Sequence, residues 1–300
     1  MVRRKHMFDT VFSGDSCADT LAGLLLERRR VCPALRAIPV GKSSCGRKIQ
    51  AVAIGNLKHP VLFAGGLSAD DRISVLLLLR FLWDITDGED LSGIKASSNL
   101  PKFFHHGGII LLPMANPDGF EIAAHGVETA GYLRRLAGNI RLRSREPWRA
   151  SATGVDLTRN FDADFDLEAA QKERPSPTGC AGSRPESEAE TKALARLCAA
   201  FHLKRVVEFR SPGEEVAAAI GKNAPSSAGI SSELIANSCG YRLLEPEQSR
   251  EPGSLKDWFS QKSGLEGYTI KAGRSSPVPE EDLEPLYARL VQTMLLCMIL

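Results

Sequence analysis

One stretch brings residue type and spacing together in a way that suggests chemistry: Phe63-Ala64-Gly65-Gly66-Leu67-Ser68-Ala69-Asp70-Asp71-Arg72-Ile73. The apolar run from Val61 to Gly65 reads as a buried strand that passes through a Gly-Gly turn straight into an apolar helix. The carboxyl end of such a strand is where α/β folds collect ligands and catalytic groups. Ser68 and Asp71 also have the spacing of a helix cap, with Ser68 as N-cap and Asp71 as the acidic residue favoured in the first turn. Histidines that could supply metal ligands are scattered. His59 and His105-His106 precede strands and so lie at the edge opposite the strand ends, whereas His125 follows a turn and could reach the rim of a cleft. The cysteines (Cys17, Cys32, Cys45, Cys180, Cys198, Cys239, Cys297) are far apart, and no Cys-x-x-Cys or Cys/His pair has zinc spacing.

The elements that must position these residues alternate between strand and helix. Asp19 to Arg30 reads as a helix with a basic last turn, stopped by Pro33. Ile38 to Val40 and Lys48 to Ile54 read as a hairpin. The leucines Leu76 to Leu79 predict a helix over Ile73 to Ile85 buried against a sheet. A polar loop is expected over Asp87 to Phe104, a buried strand over Gly108 to Pro113, and excursions outside the sheet over residues 125–153. Asp166 to Gly182 reads as a loop, and Ser187-Glu188-Ala189-Glu190 as a capping box opening a helix to about His202. Arg205 to Phe209, Val216 to Ile220 and Gly267 to Ala272 read as strands. Ser231 to Cys239, Ser254 to Lys262 and Pro279 to Leu300 read as helices. This pattern predicts an α/β fold, a mixed, mostly parallel sheet covered by helices on both faces, in a single domain over residues 1–300.

Composition narrows the function. The chain has 300 residues, 43% hydrophobic and 25% charged, which suits a globular protein with a sizeable core. Its 38 basic and 36 acidic residues leave a net charge of +2, giving no case for nucleic-acid or membrane partners. The basic start Met1-Val2-Arg3-Arg4-Lys5-His6 has no apolar stretch after it, so a signal peptide is not expected, and Leu295 to Leu300 is too short to span a bilayer. An odd number of dispersed cysteines suits reduced thiols in a cytoplasm.

Several segments, in order along the chain, resemble the M14 zinc carboxypeptidases, particularly their bacterial branch. Val40-Gly41-Lys42-Ser43 through Gly46-Arg47-Lys48-Ile49 is similar to the family's GxSxxGRxI hairpin, and Asn116-Pro117-Asp118-Gly119 to its NPDG turn. Gly154-Val155-Asp156-Leu157-Thr158-Arg159-Asn160-Phe161 resembles GVDLNRNF, and Glu186-Ser187-Glu188-Ala189-Glu190-Thr191 resembles SEPET. Gly253-Ser254-Leu255-Lys256-Asp257-Trp258 is similar to GSxxDW, and Tyr268-Thr269-Ile270-Lys271 to a strand ending in FTIE. The resemblance runs over residues 40–271 and implies the family's fold.

It also implies where the chemistry should lie, and there the residues depart from the pattern. The His-x-x-Glu that supplies two zinc ligands is Ser68-x-x-Asp71 here, the third ligand is Arg210, and the general base is Lys271. A serine hydroxyl is a poor zinc ligand, and a guanidinium offers no lone pair. A cation a few ångströms from Zn²⁺ repels it by several kcal/mol even at an effective dielectric of ~20. These substitutions predict no intact metal site and no zinc cofactor, with Arg210 and Lys271 facing Asp71 and Glu208 in a charge network that replaces the metal. The substrate-holding part persists. Arg159 matches the arginine that binds a substrate's terminal carboxylate, with Thr158 in place of its Asn partner, and Arg149 lies about where the family carries an oxyanion-stabilising arginine.

The reading that follows is an M14 metallocarboxypeptidase-like pseudopeptidase that binds peptide C-termini or a related carboxylate, such as a cell-wall peptide, without cleaving them. Two alternatives stand beside it: an active zinc carboxypeptidase with displaced ligands, and a structural or partner-binding protein whose cleft the charge network closes.

Overall fold

The computed structural model describes residues 10–87, 104–105, 107–219 and 225–300. The basic start, the polar stretch 88–103, His106 and the expected strand end at Ile220 lie outside them.

The described strands form one eight-stranded mixed sheet in the order β1-β2-β4-β3-β5-β8-β6-β7. They are β1 (Arg36–Lys42), β2 (Lys48–Gly55), β3 (Val61–Ala64), β4 (Gly108–Leu112), β5 (Arg205–Arg210), β6 (Glu215–Ala218), β7 (Arg242–Leu243) and β8 (Glu266–Lys271). The expected hairpin is the antiparallel β1–β2 pair. The central strands β4, β3, β5 and β8 run parallel.

The helices, numbered along the chain, are α1 (Cys17–Val31), α2 (Arg72–Asp87), α3 (Pro117–His125), α4 (Arg134–Arg143), α5 (Leu167–Lys172), α6 (Ala189–Ala200), α7 (Ala228–Cys239), α8 (Pro246–Ser249), α9 (Leu255–Ser263) and α10 (Leu283–Ile299). Residues buried on both sides of a strand must alternate between two cores. Accordingly Phe63, Leu111, Val207 and Tyr268, in register across the central strands, face α2, α7 and α10. Leu62, Ile110 and Val206, one residue back, face α6 and α9. Phe63 lies between Phe81 and Phe209, with ring centroids 5.9 and 5.3 Å away.

Two local expectations change. The Ser187 capping box does not form: Glu188 is the N-cap of α6 without a side-chain bond to the helix. Asn160 donates to the Ser187 hydroxyl, and Glu190 instead accepts the backbone N–H of Ser44 at 3.0 Å, so tertiary partners outcompete the local pair. The stretch Asp166 to Gly182, read as a loop, carries the short helix α5, and the excursion expected over residues 125–153 includes α4.

The sheet register positions the site. Ala64, Glu208 and Thr269 lie abreast, and two residues on, Arg210 pairs with Lys271 at the carboxyl ends of β5 and β8.

Candidate functional site at the strand ends

The Gly65-Gly66 turn is held on three sides. Gly66 has φ +62°, and a Cβ there would come 2.9 Å from the Pro113 carbonyl oxygen, so only glycine fits. Ser74 Oγ accepts from the Gly66 N–H, the Asn116 N–H donates to the Gly66 carbonyl, and the Asn116 amide donates to the carbonyls of Leu67 and Ala150. The helix cap falls one turn later than its sequence spacing suggests. Asp71, not Ser68, is the cap of α2: its Oδ1 accepts from Ser74 N–H at 3.2 Å and from the Ser211 hydroxyl at 2.7 Å. The Ser68 hydroxyl donates to Asp70 and accepts from Arg149 Nε, each at 3.0 Å. Leu67 and Ser68 continue the turn, so Ser68 sits too early to reach the free N–H groups of α2.

Behind Asp71 the two cations share one acid that the sequence reading did not identify. Glu251 receives Arg210 Nη1 at 3.1 Å on one oxygen and Lys271 Nζ at 2.8 Å on the other. Arg210 also lies 3.6 Å from Glu208, and Lys271 lies 3.8 Å from Glu215. Of the expected contacts the Arg210–Glu208 pair is present, but Asp71 is bound by Ser211 rather than by a cation, Lys271 pairs with Glu251 and Glu215, and the cluster centres on Glu251. Burial would raise the Glu251 pKa, yet Arg210 and Lys271 more than offset it and hold the carboxyl below its ordinary range. Burial also works against the Arg210 cation, which Glu208 and Glu251 outweigh. Glu208, with no exposed surface, is pushed up to about 7 by desolvation, against the opposing charge of Arg210. Desolvation raises Asp71 to about 6, opposed by its bonds from Ser211 and Ser74.

The loop carrying Glu251 is placed by Gly253. Its φ is +77°, and a Cβ there would fall 2.0 Å from the Arg159 carbonyl oxygen. Gly253 donates to Ala163 and accepts from Phe161, which ties the Glu251 loop to the segment bearing Thr158 and Arg159. Gly253 in the GSxxDW segment is the only sequence signal for this approach, and it does not identify Glu251 two residues before it.

The expected substrate-binding residues are close in backbone but already engaged. Arg159 is bound to the Gly179 carbonyl and lies 3.5 Å from Glu173, with 44% of its side chain exposed. Thr158 donates its hydroxyl to Asp156 at 2.7 Å, and Asp156 contributes to the field that keeps Arg210 charged. Arg149 Nε lies 3.1 Å from Asp70. Zinc does not fit the residues present where the resemblance places the family's ion. A hydroxyl committed to Asp70 and Arg149, a capping carboxylate and a guanidinium form no ligand set, and a cation stands at the base position.

The surviving motifs serve the scaffold. Asp118 accepts from the Ser43 hydroxyl, the Cys45 N–H and Arg47 Nη1, which locks the β1–β2 hairpin onto the Asn-Pro-Asp-Gly turn. Asn160 donates to the Ala181 carbonyl and accepts from Glu188 N–H and the Thr191 hydroxyl, which docks the start of α6.

This parallel-centred sheet with its strand-end cluster defines a carboxypeptidase-like α/β fold. Residues 25–218 match the zinc carboxypeptidase (peptidase M14) family, and the chain belongs to it. It is 25% identical over 263 residues to gamma-D-glutamyl-L-diamino acid endopeptidase 1 of Lysinibacillus sphaericus. That match covers 85% of this chain but only 65% of the relative's length. It is 26% identical over 268 residues to the uncharacterized protein YqgT of Bacillus subtilis strain 168, covering 86% of this chain and 70% of the relative. Solved structures share the fold. Thrombin activatable fibrinolysis inhibitor superposes with a TM-score of 0.75 at 16% identity, over 94% of this chain and 73% of that one. Murein-tripeptide amidase MpaA from Escherichia coli O157 superposes with a TM-score of 0.55 at 20% identity, over 87% and 91%.

One expectation is corrected here. The substituted strand-end residues predict that no metal cofactor belongs to this chain, yet the family is one of zinc enzymes, and the described residues contain a different group of ligand type. Cys17, Glu121 and His125 bring a sulfur, a carboxylate oxygen and a ring nitrogen within 4.8 Å of one another. The histidines and cysteines show no ligand spacing along the chain because Cys17 on α1 and His125 on α3 meet only in the folded protein. No described helix is long and apolar enough to cross a membrane.

Proposed function

We propose that this M14 chain is a pseudopeptidase whose cleft binds peptides through a carboxylate and does not hydrolyse them by the family's route. The observation that supports this most directly is the Arg210–Glu251–Lys271 cluster, which stands where the resemblance puts the third ligand and the general base. Arg210 has no lone pair to give a metal, and Lys271, an ammonium bound to Glu251, cannot take a proton from water. Arg159 remains the natural carboxylate receptor. Its exposed pairing with Glu173 is weak, so an incoming carboxylate can replace it bidentately. The named relatives suggest the ligand class, a γ-D-glutamyl-diamino-acid peptide of cell-wall type, whose γ-linkage leaves an α-carboxylate free. All seven cysteines are unpaired, which supports a reducing, cytoplasmic setting.

Calorimetry with a γ-D-glutamyl-diaminopimelate peptide tests the reading. Arg159→Ala is expected to weaken binding by about 30-fold, the loss of roughly 2 kcal/mol for a charge-assisted contact. Unchanged affinity would remove the receptor role, and chelator-sensitive cleavage of the peptide would remove the pseudopeptidase reading. A second reading, a cleft closed for structural purposes, draws support from Arg149, Arg159, Arg210 and Lys271 each already having a carboxylate partner. It predicts no peptide binding at all.

A further inference from the structure

Away from the strand ends, the amino end of α1 meets the carboxyl end of α3. Glu121 and His125 are four residues apart on α3 and so project from one face. Cys17, in the first turn of α1, packs beneath them with no exposed surface. The Cys17 Sγ lies 3.8 Å from His125 Nε2, and that same nitrogen lies 3.8 Å from Glu121 Oε2. Cys17 Sγ is 4.0 Å from the Phe120 carbonyl.

The 3.8 Å between His125 Nε2 and Glu121 Oε2 is long for a hydrogen bond, and the sulfur contacts are at the outer limit of a weak thiol one. They suit atoms that share a cation, since tetrahedral zinc with ordinary bond lengths sets its sulfur and nitrogen ligands about 3.5 Å apart. The use of one ring nitrogen also separates this arrangement from a Cys-His-Glu nucleophile triad, in which the carboxylate would hold the nitrogen opposite the thiol. We propose that Cys17, Glu121 and His125 form a binding site for a divalent transition-metal ion of zinc type, sharing no residue with the strand-end cluster.

The surroundings orient the ligands. Glu121 uses Oε1 for the Ser16 hydroxyl at 2.7 Å and the Ala18 N–H at 3.0 Å, with Arg47 Nε 3.9 Å away, leaving Oε2 turned to His125. Such outer contacts fix a carboxylate ligand's direction. Cys17 and Glu121 are buried, whereas 26% of the His125 side chain is exposed, so the fourth position opens to water or a substrate oxygen. Soft sulfur with imidazole and one carboxylate favours zinc or cobalt over magnesium or calcium. On binding, the ion replaces the proton of the Cys17 thiol, which passes to solvent.

The test uses the full chain stripped of metal. Zinc titration by calorimetry should give one ion per chain, with a melting temperature that rises with zinc concentration. Cobalt(II) should give a thiolate-to-metal charge-transfer band in the near ultraviolet. Cys17→Ser should abolish the band, and His125→Gln, at a partly exposed helix end, should weaken zinc at least a hundredfold. Ser16→Ala, which releases Glu121, should weaken it roughly 10–100-fold. Cys198→Ser, at a buried thiol packed against the opposite face of the sheet, should leave the band unchanged. Uptake that survives both Cys17→Ser and His125→Gln, or no uptake at micromolar zinc, overturns the proposal. None of these readouts depends on the peptide-binding reading.

Discussion

Glu251 neutralises two neighbouring cations with one carboxylate, one oxygen to each. Glu251→Gln removes that charge and leaves Arg210 and Lys271 abreast as like charges. A loss of about 2 kcal/mol is expected, reduced from the cost of a fully buried pair by the partial exposure of all three side chains. An unchanged urea midpoint would show that the cluster does not hold the strand ends together. Glu190 offers a pH signature. Desolvation raises its carboxyl from 4.5 to about 7, opposed by the Ser44 N–H. A raised acid pKa means the folded state binds the proton more tightly than the unfolded chain. The destabilisation is therefore absent below pH 4.5, grows through the window to pH 7 and is complete above it. Glu190→Gln keeps an acceptor for Ser44 and has no charge to desolvate. At pH 8 it should be more stable than the parent by on the order of 2 kcal/mol, converging with it at pH 4.5 in denaturant titrations.

Among the elements, the Asn116 turn joins three parts of the chain. Its side-chain oxygen caps α3 through Gly119 N–H at 3.0 Å, while its amide donates to Leu67 and Ala150, each at 3.1 Å. An ordinary cap lost to alanine costs ~1 kcal/mol. Asn116→Ala should cost about 2 kcal/mol, because the buried Leu67 carbonyl loses its side-chain donor and the Ala150 carbonyl keeps only Trp148 Nε1. Asn116→Asp keeps the cap but sets a buried carboxylate oxygen against both carbonyls, so in thermal unfolding it should also fall below the parent, by the lost donors and the added repulsion together. Equal stability of Asn116→Asp and the parent would show that the bonds to the Gly-Gly turn contribute nothing.

For the whole molecule, the question is whether the family's chemistry can be restored on this scaffold. Ser68→His, Asp71→Glu, Arg210→His and Lys271→Glu together rebuild the family's ligand set and base. They also leave Glu251, now 2.8 Å from the Lys271 ammonium, facing a new carboxylate at that position. Zinc uptake at the strand ends is therefore expected to be stronger when Glu251→Gln is added to the four reversions, read by calorimetry in a Cys17→Ser background. Full uptake after any single reversion would contradict this, since three ligands are needed to hold the ion.

The amino-acid sequence by itself determined the class of fold. The apolar periods of Val61 to Gly65 and Ile73 to Ile85, the Gly-Gly turn and the ordered motifs specify strands, helices and a carboxypeptidase-like frame, because these signals are local. Through the motif resemblance it also led to the expectation that Arg210 and Lys271 stand at the third-ligand and base positions. Only the tertiary structure decided what those positions do now. It moved the α2 cap from Ser68 to Asp71, gave Ser187 and Glu190 to Asn160 and Ser44, and brought Glu251 from a distant loop between two cations. It also gathered Cys17 beside Glu121 and His125 across more than a hundred residues of chain. Apart from the local Asp71–Ser74 cap bond, these partnerships are set by long-range packing, whose energy outweighs that of the local hydrogen bonds the sequence spacing suggests, and no period or motif in the chain encodes it.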